Sequence, residues 1–154
     1  MLGTPIATNY VWTFTTVNNI PPTVIATDPI NNATGVLLAK IITATFSVPM
    51  DPSTINANTF ILRQAGVMIH GTILYSGVTV TFIPSVNLKS NTNYTVTITN
   101  AVKNVAGINL VANYVWTFTT LTVPPPTVIS TSPVNNATGV VLNKVITASF
   151  STQM

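Results

Sequence analysis

One seven-residue stretch occurs twice in this chain and sets its organisation. Tyr114–Thr120 read Tyr-Val-Trp-Thr-Phe-Thr-Thr, and residues 10–16 carry the same seven amino acids in the same order. Aromatic residues occupy every second position, which is the pattern of a strand with one buried face. We therefore predict that Tyr114, Trp116 and Phe118 lie on the core side of a β-strand.

The repetition extends far beyond that stretch. A shift of 104 positions, the difference between 114 and 10, places residues 3–50 on residues 107–154 with 30 identities in 48 positions. Self-similarity at one long period is typical of a tandem array, so one repeat is the functional unit. The period predicts the last strand and linker of a preceding repeat at 1–19, a complete domain at 20–121, and the first strands of a following repeat at 122–154.

Pro-rich segments mark the boundaries between repeats. The complete copy begins at Ile20-Pro21-Pro22, and the next begins at residues 121–126, which end in three consecutive prolines. Proline restricts its own backbone and disfavours helical backbone in the residue before it. The sequence therefore predicts stiff, extended junctions between neighbouring repeats of the same protein.

The composition excludes several classes of partner and site. Only 5% of the 154 residues are charged, with five Lys or Arg, two acidic residues and a net charge of +3. Five scattered cations cannot form the continuous basic surface that nucleic acids require. Cysteine is absent, which excludes disulfides and thiolate metal sites. The apolar runs are only a few residues long, so we expect no membrane-spanning helix.

Short alternating segments fill the complete copy. Period-two patterns and turn signals predict seven strands, at residues 23–27, 40–47, 59–63, 68–75, 78–83, 94–99 and 112–119. After the second of these, Asp51 occupies an N-cap position before Pro52, which predicts a single helical turn. Seven short strands without a long helix predict an all-β fold, an immunoglobulin-like antiparallel β-sandwich.

A local motif supports the sandwich prediction. Leu88 lies six residues before Tyr94, which opens the sixth predicted strand. This is the arrangement of a tyrosine corner, in which the phenol hydroxyl hydrogen-bonds to the backbone a few residues upstream. We expect Tyr94 to be buried with its hydroxyl satisfied.

Several of these motifs together resemble a known family. They are Pro22-Thr23-Val24, Asp28-Pro29, Ala33–Val36, the run from Met50 to Ile55, and the closing Trp116-Thr117-Phe118-Thr119-Thr120. In this set the chain is similar to the bacterial Ig-like domain, which occurs in tandem in S-layer-type and other secreted surface proteins. The resemblance implies an extracellular or cell-surface location and a non-catalytic role as a stalk, a spacer or a module that presents an adhesin.

The complete copy offers little for catalysis or metal binding. Its acidic and imidazole side chains are Asp28, Asp51 and His70. Asp28 precedes a proline at a turn, Asp51 caps the helical turn, and His70 stands alone at a strand start. Zinc needs three or four ligands and calcium six to eight oxygens. We therefore predict no enzyme, no metal site and no cofactor.

An alternative function is a binding module. Thr95, Thr97 and Thr99 alternate on one predicted strand, and Thr117 and Thr119 alternate on the strand that pairs with it in an Ig sandwich. Same-face residues about 6.8 Å apart on strands about 4.8 Å apart would present a regular lattice of hydroxyl and methyl groups. Such a lattice suits ice, crystalline glycans or homotypic adhesion between copies, although Thr is also a common polar residue on exposed strands.

Identical strands can compete for the same place in a sandwich. Residues 10–16 have the sequence of the terminal strand but lie outside the complete copy. An unpaired strand favours exchange between molecules. We expect the partners to be neighbouring repeats of the same protein, and we expect self-association through residues 10–16.

Overall fold

Two β-sheets form a sandwich between residues 24 and 120. The structure is a computed structural model that describes residues 3, 8–16 and 20–152. Between residues 24 and 120 it contains nine strands and one turn of 3₁₀ helix, Pro52–Thr54. The strands are β1 (Val24–Asp28), β2 (Ala33–Val36), β3 (Ile42–Phe46), β4 (Phe60–Gln64), β5 (Val67–Ile69), β6 (Gly71–Ser76), β7 (Thr79–Pro84), β8 (Asn93–Ile98) and β9 (Tyr114–Thr120).

Strand pairing confirms the predicted architecture. One sheet has the order β1-β3-β7-β6, and the other has the order β2-β9-β8-β4-β5. All pairs in these sheets are antiparallel except β2 and β9, which run parallel. The chain therefore contributes β1 to one sheet and β2 to the other before it enters β3.

The core lies between the inward faces of the two sheets. Alternate residues of β3, namely Ile42, Ala44 and Phe46, are buried, as the period-two pattern predicts. In β9, Trp116 and Phe118 are at most 1% exposed. The predicted core side of β9 is therefore confirmed for these two aromatic residues.

Aromatic rings join the two sheets. Phe60 of β4 stacks on Phe82 of β7 across the two sheets with ring centroids 5.7 Å apart. Trp116, in the same sheet as Phe60, meets that ring edge-on at 6.1 Å. Such pairs contribute about 0.5–1.5 kcal/mol each beyond the area they bury. Tyr114, at the start of β9, is only half-buried and packs against the core from its margin.

The structure contains a strand that the sequence does not predict. Residues 31–35 read as a turn, but Ala33–Val36 form β2. Asn32 and Gly35 adopt positive φ angles of 62° and 67°, as in a turn, yet the segment pairs with β9. The partner is more than eighty residues away, and local turn signals carry no information about it.

The predicted strand at 68–75 is two strands in different sheets. β5 pairs with β4, and β6 pairs with β7, with His70 between them. Gly71 passes so close to β7 that a Cβ atom there would lie 2.4 Å from the carbonyl oxygen of Ile83. Only glycine, which has no Cβ atom, allows this approach. Gly71 therefore lies where the chain passes from one sheet to the other.

Two local predictions are confirmed. Tyr94 is 1% exposed, and its hydroxyl accepts a hydrogen bond from the backbone N–H of Lys89 at 2.8 Å, as a tyrosine corner requires. Asp51 caps the 3₁₀ helix, because its carboxylate accepts a hydrogen bond from the Ser53 N–H at 2.9 Å. Pro52 takes the first helical position.

A further strand pair follows β9. β10 (Val128–Ser132) runs antiparallel to β11 (Thr147–Phe150). Their register, including its irregularity near the start of β10, repeats the register of β1 and β3 at positions 104 residues earlier. By contrast, residues 10–16 have no regular secondary structure, and their side chains are exposed.

Candidate functional site

The predicted threonine face lies on the outer side of the five-stranded sheet. Thr95 of β8 lies directly opposite Thr117 of β9. Thr97, however, lies opposite Val115, and on the other side of β8 the residue paired with Thr95 is Arg63. The structure thus brings Thr95 and Thr117 together, while an apolar and a cationic side chain interrupt the lattice around them.

The hydroxyl groups of this face are in different environments. The Thr117 hydroxyl hydrogen-bonds to Asn32 Oδ1 at 3.0 Å, and the Thr119 hydroxyl accepts a hydrogen bond from Asn93 Nδ2 at 3.2 Å. Thr99 lies beyond the end of β8, and its Oγ1 atom is buried without a hydrogen-bond partner in the described residues. Binding of ice or glycan through this face stays a prediction.

The candidate acid–base residues lie on three different elements. Asp28 ends β1 and forms an exposed ion pair with Lys40, and His70 is exposed between β5 and β6. Asp51 caps the 3₁₀ helix. Hydrogen bonds from the hydroxyl and the backbone N–H of Ser53 lower the pKa of Asp51 below its ordinary value. Each carboxylate therefore already has a local structural contact.

The side chains that could bind a metal ion are dispersed over the described residues. In the part of the chain that the structure describes, no three His, Cys, Asp or Glu side chains come together as a metal site would require. Likewise, none of the helices within residues 3, 8–16 and 20–152 has the length and apolar character needed to cross a bilayer.

The second candidate site is the junction that follows β9. The Leu121 N–H donates to the carbonyl of Val36 at 2.9 Å, and the Leu121 carbonyl accepts from the N–H of Asn91 at 2.9 Å. Two residues later, the Val123 N–H donates to Ser90 Oγ at 2.7 Å. The chain is therefore held against the end of the sandwich as far as Val123.

Three prolines separate this anchor from the next one. Residues 124–126 have no backbone N–H, and the Thr127 N–H donates to Ser151 Oγ at 3.0 Å. The equivalent bond at the start of the sandwich joins the Thr23 N–H to Ser47 Oγ, also at 3.0 Å. At about 3.1 Å per residue of extended proline backbone, the amide nitrogens of Val123 and Thr127 are about 12 Å apart.

The sequence identifies the prolines of this junction but not the serines. Ser90 has no marked position in the pattern of strands and turns, and its role depends on a strand end that reaches it only in the folded chain. Ser151 does carry a signal, because it occupies the same place in the 104-residue period as Ser47.

Comparison with known proteins indicates one family. A family model described as the bacterial Ig-like domain matches residues 18–120. No curated protein matches the chain significantly.

Solved structures share the fold at low sequence identity. The N-terminal part of the bacterial S-layer protein SbsC has a TM-score of 0.51 and 21% identity, over 73% of this chain and 26% of that one. CopC from Methylosinus trichosporium OB3b has a TM-score of 0.57 and 12% identity, over 68% of this chain and 97% of that one. Alpha-2-macroglobulin from E. coli has a TM-score of 0.51 and 19% identity, over 71% of this chain and 7% of that one.

These structural likenesses establish the sandwich and nothing beyond it, because all the identities are below a quarter. The chain also spans only about a quarter of the S-layer structure. The family model, in contrast, matches more than half of the chain and covers both sheets of the sandwich. On that ground, this chain belongs to the bacterial Ig-like domain family.

Proposed function

We propose that this chain is part of a bacterial extracellular or cell-surface protein in which each repeat is a non-catalytic stalk or spacer module. In this proposal, residues 1–19 end one repeat, residues 20–121 form a complete domain, and residues 122–154 begin the next. Membership of the bacterial Ig-like family supports the proposal, as does the fold shared with the S-layer protein SbsC.

The anchored junction is the observation that carries this proposal. The Val123 amide is tied to Ser90 on one side, and the Thr127 amide is tied to Ser151 on the other. Only the three prolines lie between these anchors, and consecutive prolines form a semi-rigid extended segment. Each repeat would therefore add length to the array while the junction restricts folding back.

The non-catalytic part of the proposal rests on the separation of the titratable groups. General acid–base catalysis needs groups placed together at a reacting atom. Asp28, Asp51 and His70 lie at three different elements, and the two carboxylates serve an ion pair and a helix cap. No cofactor is part of this proposal.

A distance measurement across the junction tests the spacer role. Because the chain has no cysteine, spin labels can be attached at Asn87→Cys in the complete copy and Asn143→Cys in the following one. We expect a narrow distance distribution, which broadens severalfold when residues 124–126 are all changed to Gly. If the natural chain gives a distribution as broad as the glycine variant, the junction is flexible and the spacer proposal fails.

A matched label pair within one domain serves as the control. Labels at Asn58→Cys and Asn87→Cys both lie in the complete copy, at exposed positions. Their distance distribution should be the same with prolines or glycines at 124–126. Broadening of this pair would show that the glycine variant disturbs the sandwich itself.

A second candidate function is a binding module on the threonine face, formed by Thr95, Thr97, Thr99, Thr117 and Thr119. The direct cross-strand pairing of Thr95 with Thr117 is the observation that favours it. Thermal hysteresis and glycan-array binding of the chain provide the test. Hysteresis equal to that of an inert protein, unchanged in the Thr97→Lys variant, would eliminate ice binding, and the absence of bound glycan would eliminate the other ligand.

Contacts between copies are the remaining part of the proposal. Neighbouring repeats of the same protein are the partners, and residues 10–16 are the segment through which copies associate. Their Trp12 and Phe14 side chains are 73% and 76% exposed, which is unusual for aromatic residues that carry a strand pattern.

A further inference from the structure

The strand β6 forms one edge of the four-stranded sheet, on the flank of the sandwich. The sheet has the order β1-β3-β7-β6, so β6 pairs with β7 on one side and, in the described residues, with no strand on the other. It covers six residues, Gly71–Ser76, without a proline, a charged side chain or a shift of its register with β7. A strand of this kind can pair through its free edge with another chain.

The other edge strands are shorter or irregular. β1 has a shift of register between Val24 and Ala26, and a proline follows its last residue. β2 pairs with β9 at Ala33 and Val36 with a shift between them, and β5 contains only three residues. Short edge strands and bulges hinder pairing with a further strand. Among the edges of the sandwich in the described residues, β6 is therefore the one open to pairing over its full length.

The register with β7 shows which backbone groups of β6 point to the free edge. The Ser85 N–H donates to the His70 carbonyl at 3.0 Å, so these residues form a hydrogen-bonded pair. Gly71, the next residue, lies opposite Pro84, which has no N–H to donate. Hydrogen-bonded and non-hydrogen-bonded pairs alternate along an antiparallel ladder. The N–H and C=O groups that point away from β7 therefore belong to Gly71, Ile73 and Tyr75.

The bonds between β7 and β3 give the same assignment. The Phe46 N–H donates to the Val78 carbonyl at 2.8 Å. Two residues further along β7, Val80 faces β3 in the same way, since the direction of the backbone groups alternates. Val80 lies opposite Tyr75 of β6. Because the backbone of Val80 bonds to β3, the N–H and C=O of Tyr75 are left at the free edge.

We infer that β6 is an association surface that pairs with β6 of a second copy of this chain, antiparallel about a two-fold axis through Ile73. In this register Ile73 lies opposite the second copy's Ile73, and Gly71 lies opposite the second copy's Tyr75. Each of these pairs exchanges both of its N–H···O bonds, because all the groups involved point to the free edge. The surface is thus complementary to itself, as an isologous interface requires.

Apolar contacts accompany the backbone pairing. On the outer face, Thr72 lies opposite the second copy's Leu74, whose side chain is 53% exposed in the single chain. On the inner face, the two Ile73 side chains meet, and each is only half-buried by its own sandwich. Pairing therefore removes from water apolar area that the sandwich itself leaves exposed.

The charge distribution permits this self-pairing. A two-fold axis brings like charges close to one another when they lie near it, and like charges on facing strands are destabilising. The chain has five Lys or Arg and two acidic residues, and none of them lies between residues 64 and 88. The strand β6 and its neighbour β7 therefore carry no charge that would repel a second copy.

The two-fold axis also sets the orientation of the partners. The two copies run in opposite directions, so β9 of one copy is antiparallel to β9 of the other. If the repeats form a stalk, arrays that project from two facing surfaces meet in this orientation. Only this consequence rests on the proposed function. Pairing of one short edge is weak, but repeated edges along an array strengthen it through their high effective concentration.

Disulfide trapping of full-length chains tests the pairing. Thr72 and the second copy's Leu74 form a non-hydrogen-bonded pair with Cα atoms about 4.5 Å apart, within the range of a disulfide. The chain has no other cysteine. Thr72→Cys chains mixed with Leu74→Cys chains under air should give a severalfold higher yield of heterodimer than Thr72→Cys mixed with Ile25→Cys. Ile25 is exposed on the opposite edge of the same sheet. Equal yields would overturn the inference.

Two lysine variants separate pairing through β6 from general adhesion. Leu74→Lys places like charges on both sides of the two-fold axis, whereas Ile25→Lys places the same charge on the opposite edge of the sheet. The two side chains are 53% and 63% exposed, so both variants should keep the fold, which urea unfolding checks. In sedimentation velocity, we expect the concentration-dependent dimer to disappear with Leu74→Lys and to persist with Ile25→Lys. The same result for both variants would contradict the assignment to β6.

Further outcomes identify other modes of association. If Leu74→Cys alone gives as much dimer as the mixture with Thr72→Cys, the strands pair in another register or orientation, and the two-fold axis through Ile73 is wrong. If Trp12→Ser abolishes the dimer and Leu74→Lys does not, association runs through residues 10–16 instead. None of these outcomes alters the spin-label distances across residues 124–126, so failure of β6 pairing is distinguishable from failure of the spacer proposal.

Discussion

Residues 10–16 and Tyr114–Thr120 have one sequence and two structures. Trp116 in the second segment is 1% exposed, whereas Trp12 in the first is 73% exposed. The difference lies in the neighbours: β9 is flanked by β8 and β2, and residues 10–16 pair with no strand in the described part of the chain. An alternating pattern thus specifies which face a strand can bury, but pairing and burial require partner strands.

The strand that pairs with β9 also has a second copy in the chain, and this copy too is unpaired in the described residues. Residues 33–36 and residues 137–140 are identical, yet only the first segment is a strand. Their backbone angles agree at the Asn and Gly positions that the turn requires. The local sequence therefore sets the backbone conformation of both segments. Only the segment that pairs with β9 becomes part of a sheet.

The largest expected effect separates the two tryptophans. Trp116→Ala removes a fully buried indole and should lower the free energy of unfolding of the sandwich by about 3–5 kcal/mol. Trp12→Ala should change it by less than about 0.5 kcal/mol, because the side chain is exposed. Urea unfolding followed by circular dichroism measures both, and equal losses would show that residues 10–16 are part of a folded core.

The next pair compares the final threonine of each segment. Thr120 is 2% exposed, and its hydroxyl donates to the Lys89 carbonyl at 2.6 Å and accepts from the Thr92 N–H at 3.0 Å. Thr120→Val leaves these buried groups unpaired and should cost about 1–3 kcal/mol. Thr16→Val should have no measurable effect on urea unfolding, and a loss there comparable to that of Thr120→Val would contradict the comparison.

A smaller effect is expected when Asn31, which precedes β2, is compared with Asn135, its equivalent 104 residues later. Asn31→Ala removes the acceptor for the Thr117 N–H and should lower the stability of the sandwich by about 0.5–1.5 kcal/mol. Asn135→Ala should leave the unfolding of the sandwich unchanged, since residues 135–140 pair with no strand in the described residues. Thermal unfolding at low protein concentration provides the measurement. A shift for Asn135→Ala under those conditions would mean that these residues are already paired.

The smallest effect is a pH response confined to the sandwich. The Ser53 hydrogen bonds lower the pKa of Asp51 in the folded state, so its contribution to stability is present above the ordinary value of 3.8 and is lost as pH falls through the folded pKa. Asp51→Asn should reduce the loss of stability in this acidic range and leave stability at pH 7 nearly unchanged. The NMR signals of the two indoles distinguish the two regions. As the pH falls, the signal of Trp116 should report the unfolding of the sandwich, and the signal of Trp12 should not change with it. An identical acid profile for Asp51→Asn and the natural chain would exclude this role.

Local signals predicted much of the fold because they act over a few residues. The Asp51 cap, the Tyr94 corner and the buried faces of β3 and β9 follow from spacing and period, and the structure confirms them. The split at Gly71 escaped prediction, because the close approach of β7 that requires glycine exists only in the folded chain.

The candidate surfaces were predictable to a lesser degree. The sequence places Thr95 and Thr117 on one outer face, but Val115 and Arg63 enter the same rows through the strand register, which a sequence pattern does not specify. The prolines of the junction are plain in the sequence. Their anchor at Ser90 is not, because the turn that carries Ser90 meets residues 121–123 only after β9 is in place.

The sequence by itself determined the sandwich, the side of each strand that can be buried, and the backbone shape of the Asn-Asn-Ala-Thr-Gly-Val edge. These depend on side-chain period and on local backbone preferences, which are the same wherever a segment occurs. Only the tertiary structure decided which copy of each segment is paired. Pairing depends on hydrogen-bond and apolar partners far along the chain, and within the described residues those partners surround Tyr114–Thr120 but not residues 10–16.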